Sequence, residues 1–257
     1  MPIVKYRLHR PGTEPRRTEM PVPGWGGDPQ PRADGNLEQM WHCTPFSESA
    51  RYGLEVLYPF DEELRVSTVR GRVRLDGDWG APPEDSTLMW PPFRTFGDAY
   101  YSHQFVLDLK VPPGWAVRFE THPRYYQPGI DDVPLAVPAL IRTSWWPMVF
   151  FVIFKAPPKG ITHVFRKGEP FVQAIVIPEE SELELEPMED EEAAERELQA
   201  RRIHASRDAL GEGSRWTSST NTVFDGTYRH MLRAAKARDR ALAAQKETPP
   251  APKRTRA

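Results

Sequence analysis

Hydrophobic positions along this chain recur mostly with a period of two, and they are densest between residues 111 and 178. Trp115, Val117 and Phe119 alternate with Arg118 and Glu120, which predicts a half-exposed strand. The run Trp145-Trp146-Pro147-Met148 and residues 149–154 reads as core strand. So do residues 171–177, because both stretches are nearly all apolar and rich in β-branched and aromatic side chains. Upstream, Val4, Tyr6 and Leu8 alternate as a short first strand, and residues 54–58 and 137–141 predict two more. Val66, Thr68 or Val69, Val73 and Leu75 alternate with arginines and fit a half-exposed strand broken near Gly71. Phe105, Leu107 and Leu109, then Pro112-Pro113-Gly114, then Trp115 predict a hairpin. Asp76-Gly77-Asp78 and Lys167-Gly168-Glu169-Pro170 are turns.

Helical signals are few before Pro178. Residues 37–58 can carry one short helix with its body at 47–52 and Gly53 as its stop. After Pro178 the pattern changes. Ala, Glu, Arg and Leu dominate from about Pro187 or Met188 to Leu210, which predicts a helix ended by Gly211 and Gly213. A polar loop at 216–221 follows. Thr222 or Asp225 can then cap a second helix with Phe224, Tyr228, Met231 or Leu232, and Ala235 on one face.

These elements predict a mainly β fold, a sandwich, jelly-roll or barrel-like domain over residues 1–180 with a C-terminal α-helical extension over 181–245. A Pro- and Gly-rich stretch at 9–36 reads as a long covering loop, anchored by Trp25. Residues 246–257 read as a disordered tail. No internal repeat is visible.

Composition sharpens this picture. The 28 prolines are about twice the usual share of roughly 5%, and proline lacks the donor that ladders and helices need, so the fold is rich in loops and edges. The net charge of -2 gives no global argument for nucleic acid or membrane binding. A single cysteine, Cys43, excludes an internal disulfide and a cysteine-based zinc cage and points to a reducing compartment. No apolar leader or membrane span is apparent, so the expected location is cytoplasmic.

Local charge is less even. Residues 179–197 hold 11 acids against one arginine, whereas Arg229, Arg233, Lys236, Arg238 and Arg240 make the second helix basic. The plain reading is that the two segments pair with each other or with solvent. The sharper readings are a protein partner or self-association through residues 188–245, or nucleic acid held by the basic residues of 229–256.

No motif announces a chemistry or a cofactor: glycine-rich nucleotide loops, a zinc-helix motif and a nucleophile elbow are all missing. Two clusters remain as candidates. Arg118, His122, Arg124, Tyr125 and Tyr126, with Glu120 and Gln127, offer guanidinium forks and ring faces for an anionic or sugar-like ligand. His103, His122, His163 and Glu169 (or Asp108) are a metal set if neighbouring strands bring them together, since imidazole and carboxylate suit zinc or iron. Cys43 beside His42 is poorly placed for proton transfer, because adjacent side chains diverge on a strand or a helix. It is expected to be a buried structural residue.

The run Cys43-Thr44-Pro45, Gly53, Pro59, Phe96-Gly97, Pro112-Pro113-Gly114, Ser144-Trp145 and Phe165-Arg166-Lys167-Gly168-Glu169-Pro170, ending at Pro178, resembles a family of bacterial and phage proteins known only as a domain of unknown function. The resemblance covers residues 41–178, with a weaker echo around Trp216 and Tyr228, and implies no activity. That family tends to carry acids before its tryptophan, where this chain has Arg142-Thr143-Ser144. The stretch Gly168-Glu169-Pro170-Phe171-Val172-Gln173 is also similar to the closing strands of nucleotide-diphosphatase barrels of the deoxyuridine type, without their aspartate. That likeness is one of fold alone. Two functions follow as expectations. One is a non-enzymatic binding or assembly protein acting through its C-terminal helices, and the other is a cupin-like metal-dependent or nucleotide-hydrolase-like enzyme with a site in a barrel mouth.

Overall fold

The structure is a computed structural model that describes residues 2–12, 14–19, 43–82, 88–126, 133–148, 150–180, 183–210, 215–217 and 223–247. The chain divides into two compact units, one of Met1–Pro21 with Glu48–Glu184, the other of Val22–Ser47 with Leu185–Ala257. Trp25, His42, Gln127, Val149, most of the expected 9–36 loop and most of the expected 246–257 tail lie outside the described residues.

The first unit is mainly β, and all its described strand pairs are antiparallel. Its strands are β1 (Lys5–Leu8), β2 (Arg16–Arg17), β3 (Leu54–Leu57), β4 (Leu64–Val69), β5 (Arg72–Asp76), β6 (Phe93–Phe96), β7 (Tyr100–Gln104), β8 (Leu107–Lys110), β9 (Trp115–Thr121), β10 (Ala139–Ile141), β11 (Phe151–Lys155), β12 (Thr162–Phe165) and β13 (Pro170–Pro178). A five-stranded sheet runs β10-β9-β13-β3-β2, two three-stranded sheets run β11-β7-β6 and β12-β4-β5, and β1 pairs with β8. None of these sheets closes into a barrel. Helix α1 (Thr44–Ala50) precedes β3.

Several expectations change in the detail. The single strand broken at Gly71 is a hairpin, β4 with β5, whose two-residue turn sets Arg70 and Gly71 at φ of 52° and 77°. Positive φ at both central residues matches the twist of the flanking strands. The hairpin expected around Pro112-Pro113-Gly114 does not form, because β8 pairs with β1 while β9 sits between β10 and β13. Trp145 and Trp146 are not core: they lie on an exposed turn before β11, with Trp145 65% exposed. β6 and β7 were not expected, because Tyr100-Tyr101-Ser102-His103-Gln104 looks polar. Its last four residues are nevertheless buried.

The core is aromatic. Tyr58, Phe60, Phe93, Tyr101, Phe105, Phe119, Phe154, Phe165 and Phe171 are buried together and meet in edge-to-face and tilted pairs such as Tyr58 with Phe60 at 5.5 Å and Phe105 with Phe119 at 5.0 Å. Phe171 reaches this cluster because β13 carries one extra residue between Pro170 and Val172 opposite β3, and such a bulge bends the strand and re-aims its side chains. Gly53 lets β3 start close to β13. Its φ is 92°, and a Cβ there would meet the Ala174 carbonyl oxygen at 2.4 Å.

The second unit holds α2 (Asp190–Leu210), a two-stranded ribbon of β14 (Trp216–Thr217) with β15 (Val223–Phe224), and α3 (Thr227–Glu247). These are the two helices expected from the sequence. Asp225 caps α3, its Oδ1 accepting the Thr227 N–H at 2.9 Å. No helix among the described residues is long and apolar enough to cross a membrane.

Candidate functional site

The residues proposed for ligand binding fall on the end of β9 and the 3-10 turn Pro123–Tyr126, where most are committed to internal contacts. Strand pairing places Arg16, Glu55, Gln173 and Glu120 in one row across β2, β3, β13 and β9, and directly opposed residues share a face. Glu55 is fully buried and pairs with Arg16, while its Oε2 faces His122 Nε2 at 3.4 Å. That distance is long for a hydrogen bond, and neither atom has another partner. His122 Nδ1 accepts the Arg124 N–H at 3.2 Å, so the ring proton of a neutral His122 sits on Nε2, toward the carboxylate. Burial pushes the Glu55 carboxyl up, but His122 and Arg16 outweigh it and hold it below its usual range. For His122 burial wins, keeping the imidazole neutral against the pull of Glu55. Gln173 Nε2 donates to the carbonyls of Ser49 and Tyr52.

Arg124 serves as a clamp. Its guanidinium bonds Glu169 Oε2 at 2.9 Å and the Pro170 carbonyl at 3.2 Å, and it lies 5.2 Å from the Tyr125 ring centre. It thereby ties the 3-10 turn to the Gly168 turn that feeds β13. Tyr125 is buried, which pushes its phenol up to about 12. Arg118 pairs with Glu120 at 3.2 Å. Only Tyr126 of the expected cluster presents a largely open ring.

The expected metal set does not assemble. Arg124 links His122 and Glu169 into one network, but His103 and His163 belong to the aromatic core. His103, on β7, stacks on Phe93 at 4.2 Å and meets Phe171 at 5.0 Å, with neither ring nitrogen hydrogen-bonded. Burial alone lowers its pKa to about 3. His163, on β12, shares a 2.9 Å hydrogen bond with Tyr101 OH, and burial lowers it to about 4. Asp108 pairs with Arg7. Among the described residues no group of three or more His, Cys, Asp or Glu converges on a point a metal ion would occupy. The physical reason is placement: His103 sits on β7 and His163 on β12, strands of two different sheets, while His122 follows the end of β9 in a third.

The second unit offers an open site instead. A cleft of about 680 Å³ lies between α2 and α3, within the 300–1,000 Å³ typical of ligand pockets. Ala200, Ile203, His204 and Arg207 line it from α2 at i, i+3, i+4 and i+7, and Tyr228 and Met231 line it from α3. These spacings put each set on one helix face. Arg207 Nε bonds Asp225 Oδ2 at 2.6 Å at the cleft wall. Burial pushes the Asp225 carboxyl up, but the Thr227 and Arg207 hydrogen bonds outweigh it and leave it below its usual range. Cys43, expected to be buried, is a partly exposed free thiol on the same wall. The Tyr228 and Met231 face was legible in the sequence, whereas its apposition to the Ala200–Arg207 stripe, which makes the cleft, was not.

No protein-family model matches this chain, and no curated protein matches it.

Proposed function

We propose that this is a non-enzymatic binding protein in which the β unit is a scaffold and the helical unit holds a protein partner. The observation that carries this reading is the cleft between α2 and α3, with an apolar floor of Ala200, Ile203, Val223 and Met231 and a polar wall of His204, Arg207 and Asp225. An apolar pocket with a few convergent polar groups is the usual form of a binding site. By contrast, the expected ligand residues Arg118, His122 and Arg124 of the β unit pair with Glu120, Glu55 and Glu169. The Glu55–His122 pair of that unit is closed to solvent, its side chains 0% and 1% exposed. The resemblance to the domain of unknown function, carried by turn prolines and glycines, fits a scaffold role.

The test uses anilinonaphthalene sulfonate, an apolar anion suited to the cleft, as a fluorescent surrogate for the partner's side chains. We expect one saturable site per chain that Ala200→Trp abolishes by filling the cleft, with the circular dichroism spectrum unchanged. Undiminished binding to the Ala200→Trp chain would show that the cleft is not the binding site.

A further inference from the structure

Three segments of the β unit meet at one of its ends. Thr68 Oγ1, near the end of β4, donates to the Pro157 carbonyl at 2.6 Å, and the Ala156 N–H donates to the Ala99 carbonyl at 2.8 Å. The β4–β5 turn and the β6–β7 turn are thereby both tied to the segment that follows β11. Two aromatic rings stand open here. Because β7 pairs with β6 on one side and β11 on the other, Phe96, Tyr100 and Lys155 fall in one row, and directly opposed residues share a face. Phe96 is 55% exposed and Tyr100 41%, whereas their strand neighbours Tyr101 and Phe154, on the other face of the same sheet, are fully buried. Strand alternation itself turns the first pair of rings outward.

The charge at this end departs from that of the chain. Residues 66–74, 94–100 and 153–162 hold Arg70, Arg72, Arg74, Arg94, Lys155 and Lys159 against one acid, Asp98, on a chain whose net charge is -2. Arg94 is spent on the carbonyls of Trp90 and Pro91. The other five cations are exposed, and none of them forms an ion pair among the described residues. Like charges gathered without counter-ions repel one another, and an anion relieves that repulsion.

Beyond the β unit's role as scaffold, we propose that this end binds single-stranded nucleic acid, with bases stacked on Tyr100 and Phe96 and phosphates held by Arg70, Arg72, Lys155 and Lys159. Cations that track a backbone beside rings that take base faces are what an unpaired strand needs, and stacking tolerates any sequence. Guanidinium forks suit phosphate oxygens. A duplex hides its base faces and an acidic peptide has none, so either would use the cations and leave both rings uncovered.

The test is fluorescence anisotropy of a fluorescein-labelled oligothymidylate of about 15 nucleotides, a length that spans one such site, titrated with the full chain. Binding should weaken with salt at a log–log slope of about -3, the value for four phosphate contacts on a single strand. Phe96→Ala with Tyr100→Ala should weaken binding about tenfold or more at an unchanged slope, and Tyr100→Phe, which keeps the ring, should not. Arg70→Gln with Arg72→Gln should make the slope shallower by about 1.4. All four positions are exposed, and an unchanged circular dichroism spectrum checks each fold. No binding at low salt, equal affinity for the duplex of the same sequence, or indifference to loss of both rings would overturn the proposal. So would retention on phosphatidylserine vesicles by a chain that ignores the oligonucleotide, which would assign the rings and cations to a membrane surface. The dye site between α2 and α3 is read separately and does not depend on any of these outcomes.

Discussion

Mild acid should destabilise the β unit before its carboxylates titrate. His103 and His163 are neutral in the folded chain because burial lowers them to about 3 and about 4, whereas in the unfolded chain both titrate near 6.5. Above pH 6.5 neither state binds these protons and stability is at its plateau. As the pH falls below 6.5 the unfolded state takes up protons that the folded state refuses, so stability falls until the folded pKa values are reached. From pH 7.5 to 5 each histidine costs about 2 kcal/mol and the two together about 4 kcal/mol, a large part of the roughly 5–15 kcal/mol a domain has. His122 is lowered as well and adds in the same direction. The carboxyls held low, Glu55 and Asp225, act only below their ordinary values of 4.5 and 3.8, so the window from pH 5 to 6.5 reports on the histidines. Urea unfolding followed by tryptophan fluorescence at pH 7.5 and pH 5 reads the effect, and His103→Phe should remove about 2 kcal/mol of the difference. Equal stability at the two pH values, or a His103→Phe chain as acid-sensitive as wild type, would refute the assignment of these rings to the dry core.

Other substitutions probe single contacts. Arg124→Ala removes the clamp on Glu169 and the Pro170 carbonyl and should cost about 1–3 kcal/mol in urea unfolding, with dye binding unchanged. Glu55→Ala leaves a buried His122 N–H unpaired and should cost a similar ~1–3 kcal/mol, more than Glu55→Gln, which keeps an acceptor there; equal costs would deny the Glu55–His122 contact. Gly53→Ala should lower the melting temperature by the largest margin of these, since it meets both the 92° φ and the Ala174 carbonyl, a cost of about 2 kcal/mol or more. Trp145→Ser, on an exposed turn, should change stability by less than ~0.5 kcal/mol.

Much of the architecture was legible because it rests on local signals. The Phe171–Ile177 run, the Gly168 turn and the Ala- and Glu-rich start of α2 each carry their own propensity, and β13, its turn and α2 stand where these signals put them. What was not legible depends on partners distant in the chain. Tyr101, Ser102, His103 and Gln104 form a buried strand only because β6 and β11 flank them, and no period within five residues reveals this. Trp145 and Trp146 looked like core by composition, yet the turn begun by Arg142 carries them outward. The same limit applied to the candidate sites. Arg124 and Glu169, 45 residues apart, were each picked out as ligands, and pairing with each other is what engages both. The cleft was invisible for the complementary reason, since neither α2 nor α3 alone shows which helix faces Ile203.

The most direct test of the functional account compares the two places where binding was expected, by titrating anilinonaphthalene sulfonate into the Ile203→Asp and Arg124→Ala chains side by side at pH 7.5. The account predicts that Ile203→Asp, which puts a charge on the cleft floor, loses the saturable site and that Arg124→Ala keeps it. Loss in the Arg124→Ala chain with full binding in the Ile203→Asp chain would contradict it and return the binding site to the β9 loop.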